Sequence, residues 1–216
     1  MKRKGKNFSA NSKTRNLNDF YQTPYSMIWQ LLETGELNNC KTILEPACGN
    51  NAIVSQLQKT NNFEIIGYDL FQNGVDFMQE KRQFDCIVTN PPFSYAIEFI
   101  LKAKKNALKK IIFLLPLNYL HGVNRFFKIW KDEFFPFKCV YIFTRYPLLE
   151  ETVRSDGKYQ TGMQVYAWFV WDKEWKGEPV IRWINNDKFV LKTGDVDCLI
   201  SPANMNKIQL TLFEEI

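Results

Sequence analysis

Asn90, Pro91, Pro92 and Phe93 follow directly on the apolar run Phe84-Asp85-Cys86-Ile87-Val88-Thr89, and together they can grip an amino group. A residue before a proline is pushed toward extended backbone, and a proline nitrogen carries no hydrogen, so the turn offers acceptors without competing donors. The amide oxygen of Asn90 and the carbonyl of Pro91 can converge on an exocyclic NH2. The ring of Phe93 either offers a face to a planar base or packs under the loop as core. The apolar run is the strand that would deliver this turn.

Other elements must hold that strand in place, and alternating apolar runs and helical patterns read as βα units. A helix is predicted from Pro24 to Glu33, with Gly35 just past its end. Strands are predicted at Thr42 to Glu45, Glu64 to Asp69 and Cys86 to Thr89, with a weak further strand near Asp76 to Met78. A helix begins near Asn51, and Ser94 is placed as N-cap of a helix reaching Ala107. Ile111 to Leu115 forms the next strand, a helix spans about Gly122 to Phe134, and Val140 to Thr144 with Gln164 to Trp171 close the sheet. Ile97, Ile100, Leu101 and Leu108 mark the buried face beside a wet face of Lys102, Lys104, Lys105, Lys109 and Lys110.

The segment ending in Asn90-Pro91-Pro92-Phe93 resembles motif IV of the amino-methyltransferases that use S-adenosylmethionine, and three further segments resemble that family in register. Ile43-Leu44-Glu45-Pro46-Ala47-Cys48-Gly49-Asn50-Asn51 is similar to motif I, Asp19-Phe20-Tyr21-Gln22-Thr23-Pro24 to motif X, and Ile65-Ile66-Gly67-Tyr68-Asp69 to the second strand with its ribose-binding acid. The resemblance spans residues 19 to 171. It implies an α/β, Rossmann-like class I methyltransferase fold: a mostly parallel seven-stranded sheet with an antiparallel C-terminal hairpin.

For the cofactor the resemblance implies Tyr21, Thr23, Glu45, Pro46, Ala47, Gly49, Asp69, Leu70, Asp76, Phe77 and Asn90, and for catalysis Asn90, Pro91, Pro92 and Phe93. Asp69 would accept both ribose hydroxyls and Asp76 the adenine amino group, unless either caps a helix or turn instead. Glu45 organises its loop or meets the methionine amino group. Asn51 stands where the family has a second glycine; asparagine tolerates left-handed backbone, so the turn can survive. The implied activity is methyl transfer to N6 of adenine in DNA, with the base flipped onto Phe93 and Tyr21, Tyr119 or Tyr166 as weaker candidates for its other face. Motif order and the lack of a large recognition domain are similar to compact methylases of phages and mobile elements. RNA adenine or guanine methylation is the alternative, and a non-catalytic nucleic-acid-binding module a distant one.

The 216 residues, 45% of them hydrophobic, suffice for one substantial domain, read as residues 19–200. Lys2, Arg3, Lys4, Lys6, Lys13 and Arg15 give residues 1–18 the character of a basic arm that neutralises phosphates or remains a solvated tail. Within residues 145–162, Arg145, Arg154, Lys158 and Tyr159 would hold the target strand, a disordered spacer being the other view. In the 201–216 tail, Gln209, Leu210, Leu212 and Phe213 resemble the peptide by which bacterial proteins dock on the sliding clamp, unless they form a last strand packed on the body. No apolar run is long enough to span a membrane and the N-terminus lacks an apolar core, so a cytoplasmic protein is expected. Cys40, Cys48, Cys86, Cys139 and Cys198 are spaced as reduced, structural thiols, and with His121 alone no metal site is expected. Trp168, Trp171, Trp175 and Trp183 are read as core rather than base platform.

Overall fold

The computed structural model describes residues 22–144 and 165–185. Seven strands form one sheet in the order β2-β1-β3-β4-β6-β5-β7: β1 (Thr42–Glu45), β2 (Glu64–Gly67), β3 (Phe84–Thr89), β4 (Ala107–Pro116), β5 (Phe137–Phe143), β6 (Tyr166–Asp172) and β7 (Val180–Ile184). Neighbours are parallel except that β6 runs antiparallel to both β4 and β5. Strand alternation divides the core into two layers. Ile112, Leu114, Trp168 and Val170 face α1 (Tyr25–Glu33) and α2 (Ala52–Gln58), while Ile111, Phe113, Phe169 and Trp171 face α4 (Ala96–Asn106).

Local chemistry fixes the ends of these elements. Pro24 caps α1, and Gly35 takes φ 72° just beyond it. Asn51 caps α2 in left-handed geometry, φ 60° and ψ 29°. Gly67 ends β2 where a Cβ would come within 2.5 Å of Val54 Cγ2, so α2 can lie on the sheet only over a bare backbone.

Several expectations are corrected. Asp76 to Met78 is not a strand: Asp76 accepts from the Met78 amide at 2.9 Å and caps a 3-10 turn, Phe77–Gln79. The seventh strand is instead β7, at the opposite edge, parallel to β5. β2 stops at Gly67 because Asp69 turns to cap the four-residue α3 (Leu70–Asn73). Ser94 is not the N-cap residue of α4, a position that Tyr95 takes; it lies inside a 3-10 turn, Phe93–Tyr95, that leads into α4. The helix expected over 122–134 is one α turn, α5 (Val123–Arg125), continued by a π turn, Phe126–Trp130; Asp132 then takes the amides of Phe134 and Phe135 and ends it.

The lysine face is wet at Lys105, which is exposed, but its other members are tied to the body of the protein. Lys104 reaches Asp132 at 2.8 Å, Lys109 reaches Asp85 at 3.1 Å, Lys110 reaches Glu36 at 2.8 Å, and Lys102 donates to the Glu80 carbonyl. Leu101 and Leu108 are exposed rather than buried; Leu108 is so because the chain passes from helix to strand at Ala107 and the helical period ends there. Trp168 and Trp171 are core, Trp175 is half-buried under Lys138, and Trp183 is exposed on edge strand β7. Cys40, Cys48, Cys86 and Cys139 are buried free thiols. Among the described residues no helix is long and apolar enough to cross a membrane, and no cluster of three or more His, Cys, Asp or Glu could hold a metal.

Candidate active site

The carboxyl ends of β1, β2 and β3 open onto one pocket of about 530 Å³, beside the strand where the sheet order reverses. Open α/β sheets bind ligands at this place, and the volume suits a nucleoside-sized molecule. Thr23, Glu45, Pro46, Ala47, Gly49, Asp69, Leu70, Asp76, Phe77, Asn90 and Pro92 all line it. Pro91 is buried beside the pocket and Phe93 half-buried, and neither lines it. Tyr21, residues 1–18, the 145–162 segment with Arg145, Arg154, Lys158 and Tyr159, and the tail with Gln209, Leu210, Leu212 and Phe213 lie outside the described residues.

Glu45 is 1% exposed at the end of β1. Its Oε1 accepts the Thr89 hydroxyl and, at 3.4 Å, the Ala47 amide, which ties the end of β1 to the end of β3 just before Asn90. Its Oε2 is buried with no hydrogen-bond partner among the described residues. Burial pushes its carboxyl up to about 8, and the nearby Asp69 charge adds to the shift. A buried carboxyl with an unmatched oxygen at a pocket wall is a place for a cationic donor.

Asp69 both caps α3 and steadies the motif I turn. Oδ1 accepts the amides of Phe71 at 2.8 Å and Gln72 at 3.3 Å, while Oδ2 accepts that of Gly49 at 3.3 Å. A carboxylate has roughly four acceptor sites, so Asp69 keeps room for about one ligand hydroxyl rather than two. Asp76 spends one oxygen on its cap and keeps the other.

The Asn90-Pro91-Pro92 turn leaves β3 and enters the Phe93–Tyr95 turn, where the Tyr95 amide donates to the Pro92 carbonyl at 2.9 Å. The Tyr119 hydroxyl donates to the Phe93 carbonyl at 2.8 Å. Phe93 and Tyr166 rings lie 5.3 Å apart, too close for a base between them, since two stacking gaps need about 7 Å. Tyr119 is buried as well, so neither tyrosine serves as the opposite face.

Sequence reasoning passed over Tyr95, exposed at the pocket, and Gln22, Phe71, Met78, Glu98 and Phe99 in its lining. Tyr95 carried a signal, an aromatic two places past Phe93; Glu98 and Phe99 stand in the first turn of α4, which follows directly on the 3-10 turn.

No family model matches the chain, and no curated protein matches it. Solved structures share its fold. The methyltransferase subunit of a type I restriction-modification system from Streptococcus thermophilus superposes with a TM-score of 0.52 at 12% identity, over 90% of this chain and 53% of that one. A proposed RNA methyltransferase from Pyrococcus horikoshii gives 0.51 at 16% identity, over 72% and 88%. The chain has the Rossmann-like class I methyltransferase fold. It spans about half the length of the Streptococcus subunit.

Proposed function

We propose that this chain transfers a methyl group from S-adenosylmethionine to the exocyclic N6 of adenine in DNA. One observation carries the reading: a single pocket joins Glu45, Asp69 and Asp76 to the acceptor-bearing turn at Asn90 and Pro92. The residues fit the cofactor. Oε2 of Glu45 suits the ammonium of its methionine part, Asp69 a ribose hydroxyl, Asp76 and Phe77 the adenine. S-adenosylmethionine, when bound, supplies a methyl group on a sulfonium leaving group.

Asn90 and the Pro91 carbonyl accept hydrogen bonds from the target amino group, favour a pyramidal nitrogen and stabilise the positive charge that grows on it. The turn is held rigid by Glu45 with Thr89 on one side and Tyr119 on the other, so positioning supplies most of the acceleration and the surplus proton leaves to water. Tyr95 or Phe93 offers an aromatic face to a flipped base. The restriction-modification name of the Streptococcus protein accords with a DNA substrate.

Asn90→Ala tests the assignment. Transfer of labelled methyl to DNA is expected to fall about 10²- to 10³-fold, the usual loss for one charge-stabilising group, while cofactor affinity changes less than about tenfold. An unchanged transfer rate in the folded variant would overturn it.

A further inference from the structure

Beyond the pocket, the segment from Leu120 to Lys131 leaves an unusual surface. Phe126 is 50% and Phe127 66% exposed, with rings 5.2 Å apart, and Leu120 and Val123 are exposed beside them in the chain. The π turn produces this. Its Lys131 amide reaches back to the Phe126 carbonyl at 3.1 Å, which seats Ile129 in the core, packs the half-buried Trp130 against it, stacked on Trp171 at 5.5 Å, and leaves both phenylalanines outside. Inserted π turns are frequent at functional sites, and adjacent exposed aromatics are costly unless something meets them.

The charge beside them is of one sign. From residue 121 to 131 the chain carries Arg125, Lys128 and Lys131 and no carboxylate. Of the acids that follow, Asp132 is held by Lys104 at 2.8 Å and Glu133 is exposed. Arg125 lies over the Tyr119 ring at 4.7 Å and donates to the His121 carbonyl at 2.8 Å, so it serves the fold. Lys128 and Lys131 are exposed, with no ion pair to another described residue. A line of contacts leads from this surface to the catalytic turn, from Arg125 to Tyr119 and from the Tyr119 hydroxyl to the Phe93 carbonyl.

We propose that Leu120–Lys131 is a nucleic-acid-contacting surface, on which unpaired bases flanking the target stack against Phe126 and Phe127 while Lys128 and Lys131 meet phosphates. The proposal rests on the methyltransferase reading and adds to it a platform outside the pocket. Aromatic faces accept any base, and paired cations follow the backbone, so the surface grips a strand without reading its sequence. Both DNA and RNA strands present this chemistry.

The test is fluorescence anisotropy of the full chain with a labelled single-stranded DNA and the same sequence as RNA, for wild type, Phe126→Ser with Phe127→Ser, and Lys128→Gln with Lys131→Gln. All four positions are exposed, and S-adenosylmethionine affinity, unchanged in both variants, reports an intact fold. The phenylalanine variant is expected to bind the preferred strand roughly 5- to 100-fold more weakly, the range for losing base stacking. The lysine variant is expected to lower the slope of log K against log salt by about 1.4 for a single strand. Wild-type affinity and salt slope in both variants would overturn the platform and leave the methyltransferase reading standing. A wild type that binds neither strand would overturn the platform, and one that also fails to bind the labelled DNA annealed to its complement would overturn both. A dimer that becomes monomeric in the phenylalanine variant, with strand affinity intact, would assign the surface to a second copy and overturn the proposal.

Discussion

Glu45 concentrates the physics of the site in one side chain. Its carboxyl is raised to about 8 by burial, so between pH 4.5 and 8 the folded protein holds a proton that the unfolded chain releases. Stability without cofactor therefore falls as pH rises through that window, with a limiting slope of about 1.4 kcal/mol per pH unit. Glu45→Gln keeps an acceptor for Thr89 and Ala47 but cannot ionise; melting curves from pH 5 to 8 should show this component in wild type and not in the variant. A carboxylate facing the cofactor ammonium would be held ionised, so the same variant should bind S-adenosylmethionine more weakly. Equal pH profiles for the two proteins would contradict the burial argument. Asn51 was legible as the residue able to replace a glycine, since its left-handed geometry is the one its side chain tolerates. Asn51→Val should lower stability by about 1–2 kcal/mol in denaturant titration, whereas Asn51→Gly should change it by less than about 1. The capping role of Asp69 was legible as an alternative, but its grip on the Gly49 amide, 20 positions away, was not.

At the scale of elements, hydrogen bonds between distant segments decide what local pattern leaves open. β1, β3 and α1 could be read directly, since apolar runs bounded by Pro and Gly suit no other state. The pairing of Lys102, Lys104, Lys109 and Lys110 could not, because their partners Glu80, Asp132, Asp85 and Glu36 are 22 to 74 positions away in sequence. β7 was missed for a similar reason: its apolar residues Ile181 and Trp183 point outward, and only pairing with β5 identifies it as a strand. Glu36 joins the approach to β1 with two strands, accepting from Lys110 of β4 at 2.8 Å and from Lys138 and the Tyr141 hydroxyl of β5 at 2.8 Å. Burial opposes the charge of Glu36, but those three donors outweigh it and hold the carboxyl below its ordinary value. This contribution is present above about pH 4.5 and is lost as pH falls through the depressed value, the opposite sense to Glu45. Lys110→Ala leaves Glu36 with Lys138 and Tyr141, so in urea titration at pH 7 it should cost about 1–3 kcal/mol, less than the loss of a sole charge partner. Tyr119→Phe should cost only about 1 kcal/mol yet slow methyl transfer at constant cofactor affinity, since the Phe93 carbonyl loses its tether.

For the whole molecule, the sheet gathers at its carboxyl ends four segments that are dispersed over the chain, and this gathering was legible because each segment ends a strand or precedes the first helix. The surface around them was less legible, as the exposure of Phe126 and Phe127 depends on a π turn that no apolar period announces. The formal net charge of +5 suits a polyanionic substrate. The central claim is tested most directly by incubating the full chain with S-adenosylmethionine carrying a deuterated methyl group and either DNA or RNA, then identifying the modified nucleoside by mass spectrometry. The account predicts deuterated N6-methyladenine in DNA, absent with Asn90→Ala; label confined to RNA, or to another nucleoside or position in DNA, would contradict it.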